Sequence, residues 1–228
     1  MSTPHASRRL VLDSRMSCTS WIPANPDACA RLLPPALKPA ENHAVYMNQY
    51  VVAEQTAGPG GYSVTCLGLD VAGHFARDGA TPARFITHHL NSSERVRTQV
   101  RERGIPAATG CTTVEVRDGV MTATTYDGAT AIIRTRASVG NAPRTIAAGH
   151  LRYLARMEAG LVSGHHPYVG ELAVPYEVLS IEFLEPGHPV YALRPAAPLE
   201  LVPASCFYAP LACTGEDSGS SLAVTISV

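Results

Sequence analysis

The 228-residue sequence is almost without lysine: Lys38 is the only one among 18 lysine and arginine side chains, so the chain offers a single side-chain amine. An excess of charge of one sign is also missing. The 18 basic and 19 acidic side chains leave a net charge of −1, which removes the electrostatic case for nucleic acid or an acidic surface as partner. No run of eighteen apolar residues occurs, and the basic residues of the opening MSTPHASRRLVLDSR have no apolar core behind them. Neither a membrane helix nor a secretory signal is therefore predicted. The six cysteines form no C-x-x-C pair and read as reduced, mostly buried thiols. G-x-S-x-G, P-loop and G-x-G-x-x-G patterns are absent, which leaves serine hydrolase, NTPase and dinucleotide-binding readings without support. A soluble, cytoplasmic protein is expected.

With 46% hydrophobic residues the chain can bury a full core, and a single domain over 1–228 is expected, with 1–8 as a disordered arm. Extended pieces are predicted at Arg9–Asp13 and Arg15–Ile22. Asn25-Pro26-Asp27 starts a helix over Asp27–Leu33, which Pro34-Pro35 stops. Strands follow at Ala44–Ala53 and Tyr62–Val71, separated by the turn Gly58-Pro59-Gly60-Gly61. A polar loop over 73–82 leads to a strand at Arg84–His89. Asp118-Gly119 and Asp127-Gly128 mark a meander of Cys111–Arg117, Val120–Tyr126 and Thr130–Ala137. Residues 144–157 show helical spacing at Leu151, Leu154 and Met157, and 160–175 are rich in Gly, Pro and His, as a loop would be. Glu177–Leu184, Val190–Pro195 and Leu199–Ala209 read as strands, and the tail as a polar turn with a last strand.

The stretch from His88 to Gly110, HHLNSSERVRTQVRERGIPAATG, organises the rest. Asn91, Ser92 and Ser93 offer N-cap oxygens, with Glu94 in the first turn. Val96 and Val100 share one helix face. Arg97 and Arg101 share another, which reads as solvated. Gly104 and Pro106 end the helix. The chain then extends through Ile105-Pro106-Ala107-Ala108.

A strand, a polar cap, a basic helix, then an aliphatic residue, proline, two residues and a small turn resembles the acetoacetate decarboxylase-like superfamily. LLPPAL at 32–37 resembles the same family, and the match covers residues 14 to about 140 and about 170–212. In the decarboxylases the two residues after the proline are both lysine, and the first forms the Schiff base. Those positions are Ala107 and Ala108 here, so the resemblance implies the scaffold without its catalytic amine. It also implies a carboxylate-binding arginine at Arg15, and it places two family glutamates at Asn48 and Val64.

The candidate site follows from these matches and from the residues themselves. Arg15 could clamp a carboxylate with two parallel hydrogen bonds, and Asn48 could hydrogen-bond a carbonyl. His88 and His89 are adjacent on a predicted strand, so one can face a cavity but not both. That spacing supports a general acid or base and no metal site. Tyr46, Gln49, Tyr62 and Tyr126 are possible polar groups of the cavity. Val64, Pro106, Ala107 and Ala108 are expected to line it.

The resemblance implies a mostly β fold: an antiparallel, cone-like barrel with a flanking sheet and two or three short helices, assembling as a homo-oligomer. A closed barrel can hold a small ligand. The expected function is that of a cofactor-independent biosynthetic enzyme of secondary, polyketide-like metabolism. It would act on a carbonyl compound without an imine, by cyclisation, dehydration, isomerisation or a lyase step. The alternative is a non-catalytic member that binds a small molecule or stabilises a partner. Convergent polar groups in the cavity would favour the enzyme, and a purely apolar lining the binder.

Overall fold

The computed structural model describes residues 9–54, 60–202 and 205–216. The arm at 1–8, residues 58–59 of the turn at 58–61 and the last strand expected in the tail beyond Glu216 lie outside them. In chain order the elements are β1 (Arg9–Trp21), α1 (Pro26–Ala30), β2 (Val45–Val52), β3 (Tyr62–Phe75), β4 (Pro82–Asn91), α2 (Glu94–Arg101), β5 (Ala107–Thr109), β6 (Cys111–Arg117), β7 (Val120–Asp127), β8 (Thr130–Val139), β9 (Thr145–Met157), β10 (Gly160–Leu172), β11 (Tyr176–Phe183), a 3-10 helix (Pro189–Leu193) and β12 (Phe207–Glu216). The mostly β architecture with a flanking sheet agrees with the expectation.

The main sheet runs β3-β2-β1-β12-β10-β9-β4-β5, and β3 also pairs with β4, which closes it into a barrel. Pairing is antiparallel apart from β4 with β9 and β4 with β5. The second sheet, β11-β8-β7-β6, covers the outer face of β1–β3. Between the layers lies an apolar core around Trp21, Met47, Leu67, Ile132, Ile133 and Leu193. Beside it Gln49 bonds Thr125 and Thr135, and Thr65 bonds Thr112 and Thr125, all buried. No helix among the described residues is long and apolar enough to cross a membrane.

The helices form where their caps place them. Asn25 accepts from the Ala28 N–H, and Pro26 occupies the first helical position. α1 ends at Ala30, short of the expected Leu33. The last turn tightens to i→i+3 bonds, Leu32 to Cys29 and Leu33 to Ala30, ahead of Pro34. Ser93 caps α2 through the Val96 N–H. Of the expected solvated face, Arg101 is exposed but Arg97 is buried. Arg97 Nη1 donates to the Asn91 carbonyl at 2.6 Å and Arg101 Nε to the Ala107 carbonyl at 2.8 Å, so both tie α2 to strand ends.

Several segments differ from expectation. The predicted helix at 144–157 and loop at 160–175 are the two arms of one long hairpin, β9–β10. Glycine there does not mark a loop. Gly149 pairs with Tyr168 and Gly164 with Tyr153, and each aromatic ring lies across the glycine opposite it, where a Cβ would stand. Helical spacing of Leu151 and Leu154 arises because they serve different faces: Leu151 lines the barrel, and Leu154 belongs to the interlayer core. Val190–Pro195 is not a strand, because Pro189 and the His188 cap begin a 3-10 turn that buries Val190 and Leu193 three apart. Leu199–Ala209 becomes strand only from Phe207; before it, Leu201 makes one bridge to Trp21. The two pieces predicted around Ser14 are one strand, interrupted by bulges where Asp13 takes a φ of 53°.

Gly104 ends the central helix with a φ of 77°, and a Cβ there would meet the Arg156 carbonyl oxygen at 2.6 Å. Gly104→Ala is therefore expected to cost at least about 2 kcal/mol from left-handed strain and backbone collision together. Urea unfolding measures this; a change within about 0.5 kcal/mol would refute the close approach.

Candidate active site

Strand alternation builds the interior. On β2, Tyr46, Asn48 and Tyr50 face a cavity of about 130 Å³ inside the barrel, while Met47 and Gln49 face the second sheet. On β3, Tyr62 and Cys66 face in. Registers set Asn48 opposite Cys66 and Cys66 opposite His89, so these three side chains form a row across neighbouring strands. On β4 the partners step from Leu67↔His88 to Gly68↔Ile86, which leaves Thr87 as an extra residue. This bulge shifts the alternation, so that His89 lines the same interior as Ile86 and Arg84.

Arg84 is the dominant charge of the cavity. Its side chain is 6% exposed, and its Nε lies 3.2 Å from Asp70 Oδ1. The guanidinium stacks 3.9 Å above the Tyr46 ring. Burial lifts the Asp70 carboxyl above its ordinary range, although Arg84 pulls the other way. Burial also pushes the Cys18 and Cys66 thiols up to about 12 and the Tyr46 phenol well above its usual value, so all three are neutral at physiological pH. Cys18 Sγ lies 3.5 Å from the Tyr46 hydroxyl. Arg84 Nη1 and Asn48 Oδ1, from two residues of the lining, are among the buried polar atoms that have no hydrogen-bond partner among the described residues. Leaving such groups unsatisfied costs about 1–3 kcal/mol each, more when charged. The remaining wall is apolar and aromatic, from Val96, Val100 and Ile105 to Tyr153, whose ring lies 5.0 Å from that of His166.

The structure brings together only part of the expected set. Tyr46, Asn48, Tyr62 and His89 share the cavity. Arg15 does not. It is exposed on β1 opposite Val51, on the face away from Met16, and its charge acts on Tyr208. Gln49 points the other way from Asn48 by strand alternation and is used up in the threonine network. Tyr126 sits on β7 of the second sheet, opposite Cys111. His88 and Pro106 line a separate, open depression of about 620 Å³ on the outer side, with Phe85 and Met157. Val64 and Ala107 are buried in the cluster beneath the cavity with Val96, Val100 and Ile105, and Ala108 is exposed.

Arg84, Asp70, Cys66, Tyr153 and His166 were not expected. A signal for the first two exists: LGLDV and ARFIT are apolar strands that each carry one charge, and antiparallel pairing sets Asp70 opposite Arg84. Tyr153 and His166 were hidden by the misread hairpin.

No family model and no curated protein matches the sequence. Solved structures do match its fold. Acetoacetate decarboxylase is 14% identical with a TM-score of 0.64, over 96% of this chain and 92% of that one. The acetoacetate decarboxylase of Legionella pneumophila is 16% identical with a TM-score of 0.63, over 98% and 92%. The enduracididine biosynthesis enzyme MppR, complexed with pyruvate, is 13% identical with a TM-score of 0.61, over 95% and 89%. The chain has the acetoacetate decarboxylase-like fold.

Proposed function

We propose that this chain is an enzyme that acts on a small carbonyl compound inside the barrel without forming an imine. The observation that carries this reading is Arg84, fixed by Asp70 and Tyr46, in the lining of the same cavity as His89. Arg84 donates to the carbonyl oxygen and stabilises the oxyanion that develops when a proton leaves the neighbouring carbon. Its position is set by Asp70 on one edge and Tyr46 on one face, so little reorganisation accompanies the charge. His89 takes that proton and returns it elsewhere. Isomerisation and dehydration need no more than this, and cyclisation or a lyase step can follow from the same enolate. Asn48 orients the substrate.

Imine chemistry needs a neutral amine. Lys38 is exposed, in the turn between α1 and β2. The two positions that the family resemblance matches to the decarboxylases' lysines are alanines here, Ala107 in the wall cluster and Ala108 on the surface. MppR, an enzyme of the same fold named for enduracididine biosynthesis, supports placing the reaction in a biosynthetic pathway of secondary metabolism. The six free thiols suit a reducing cytoplasm. Ile146, Val169 and Leu211, exposed on the barrel's outer face, suit a homo-oligomer.

Incubation with small ketones in deuterium oxide tests the chemistry by NMR. Exchange at the carbon beside the carbonyl is expected for the wild type, with a loss of about 10²-fold or more in His89→Gln. Borohydride added to the same mixture is expected to leave the intact mass unchanged. An adduct on Lys38, or exchange that survives His89→Gln undiminished, would overturn the reading.

A further inference from the structure

Of the six cysteines, Cys66 reaches the cavity. It is half-buried on β3, whereas Cys18 on β1 is buried at 1% exposed. The sulfur is not isolated. The antiparallel ladder sets Cys66 directly opposite His89, and both residues line the cavity. The Cβ atoms of such a pair stand about 4.5–5.5 Å apart, which puts thiol and imidazole within reach of each other. Asn48 flanks the sulfur on the other side, opposite it on β2. The Arg84 guanidinium belongs to the same lining, and its charge acts on the Cys66 sulfur.

Burial alone would make this thiol inert. It pushes the Cys66 thiol up to about 12, so free thiolate is rare at physiological pH. A base beside the sulfur removes that obstacle, because the proton leaves as the sulfur attacks. Sulfur is a soft, polarizable nucleophile. It therefore selects the conjugate carbon of an unsaturated carbonyl compound, while the cation selects the oxygen on which negative charge develops. A cavity of about 130 Å³ is close to the size that accommodates benzene, so the reacting group is small.

Resting on the cavity as the site of carbonyl binding, we propose that Cys66 is a further catalytic residue and that the substrate class is an α,β-unsaturated carbonyl compound. The Cys66 sulfur adds to the β-carbon and forms an S–C bond. The π pair of the C=C bond moves toward the carbonyl oxygen, where the charge of Arg84 stabilises the enolate. The thiol proton passes to His89 and from there to the α-carbon, which leaves a saturated thioether. Run backwards after rotation about the former double bond, the same steps return the thiol and an isomerised alkene. No oxidant, reductant or cofactor enters the balance.

But-3-en-2-one, a small neutral enone, tests this on the full chain. Quenched time points are digested, and mass spectrometry follows the adduct on each cysteine. Cys111 is exposed and serves as the reference thiol within the same molecule. Cys66 is expected to react at least about tenfold faster than Cys111, at a rate that saturates with enone. His89→Gln is expected to slow Cys66 about 10²-fold and to leave Cys111 unchanged. Butan-2-one, which lacks the double bond, should form no adduct and should compete with capture. Reaction of Cys66 no faster than Cys111 in the wild type would overturn the inference, whatever the variant does. Undiminished capture in a folded His89→Gln would do the same. Enone capture without deuterium exchange on saturated ketones would refute the proposed proton abstraction and leave Cys66 its role; exchange without capture would do the reverse.

Discussion

Asp70→Leu is expected to destabilise the fold by about 3–5 kcal/mol, while Asp70→Leu combined with Arg84→Met is expected to recover most of that loss. The reason lies in what each variant leaves inside the barrel. The single change strands a guanidinium whose side chain is 6% exposed, with its acidic partner Asp70 gone. Stacking on Tyr46 at 3.9 Å offsets a small part, about 2 kcal/mol at most for a desolvated pair. The double change replaces a buried ion pair by two apolar side chains of similar length, which is often neutral in stability. For a chain of 228 residues each kcal/mol moves Tm by about 2–4 °C, so the single variant should melt roughly 6–20 °C lower. Thermal melts of wild type, single and double variants decide the matter. The double variant should fold yet bind no carbonyl compound, which separates the pair's part in recognition from its part in stability. A single variant that melts within about 2 °C of wild type would mean that Arg84 finds another partner.

Much of the fold was legible because the sequence states it locally. The meander β6–β8 is punctuated by Asp118-Gly119 and Asp127-Gly128, and its strands came out within two residues of expectation. Asn25 and Ser93 announced both helix starts. The β9–β10 hairpin was not legible, because its stability resides in pairing across the turn. A glycine covered by a tyrosine from the next strand has the composition of a loop and the geometry of a sheet. The barrel's closure was equally hidden. It depends on β3 pairing with β4 after a turn and on β9 reaching β4, a contact between residues about seventy apart in sequence.

The site was legible where alternation alone decides. Asn48 and Tyr46 share a face because they are two apart, and the same rule removes Gln49. Arg15 was placed by matched spacing to a family motif, but the bulges in β1 and its register with β2 turn that side chain outward opposite Val51. The positive charge is instead supplied from β4, by a residue whose meaning depends on Asp70 across the ladder. In this barrel the location of the charge is a tertiary fact.

The histidine doublet divides in the same way, and its outward member is expected to cost stability in acid. His89 faces the cavity, while His88 faces the outer depression beside the Thr87 bulge, with its Nδ1 3.1 Å from the Thr87 hydroxyl. Burial, helped by the charge of nearby His188, pushes the His88 imidazole down to about 4. His188 in turn lies 3.6 Å from Asp127. An unfolded histidine titrates near 6.5. Between about 6.5 and 4 the unfolded chain therefore binds a proton that the native chain refuses, and stability falls as pH falls through that window. The loss should total about 3 kcal/mol on acidification, with none of it incurred above pH 7. His74 is shifted in the same direction but is less buried, so solvent screening leaves it a minor share. His88→Gln keeps a hydrogen-bonding group beside Thr87 and cannot titrate. Urea unfolding of wild type and variant at pH 7.5, 6, 5 and 4.5 should show the wild type losing stability faster, with the two curves converging or crossing toward the acid end. Parallel curves across the whole range would show that His88 is hydrated in solution, and its burial beside the Thr87 bulge would have to be abandoned.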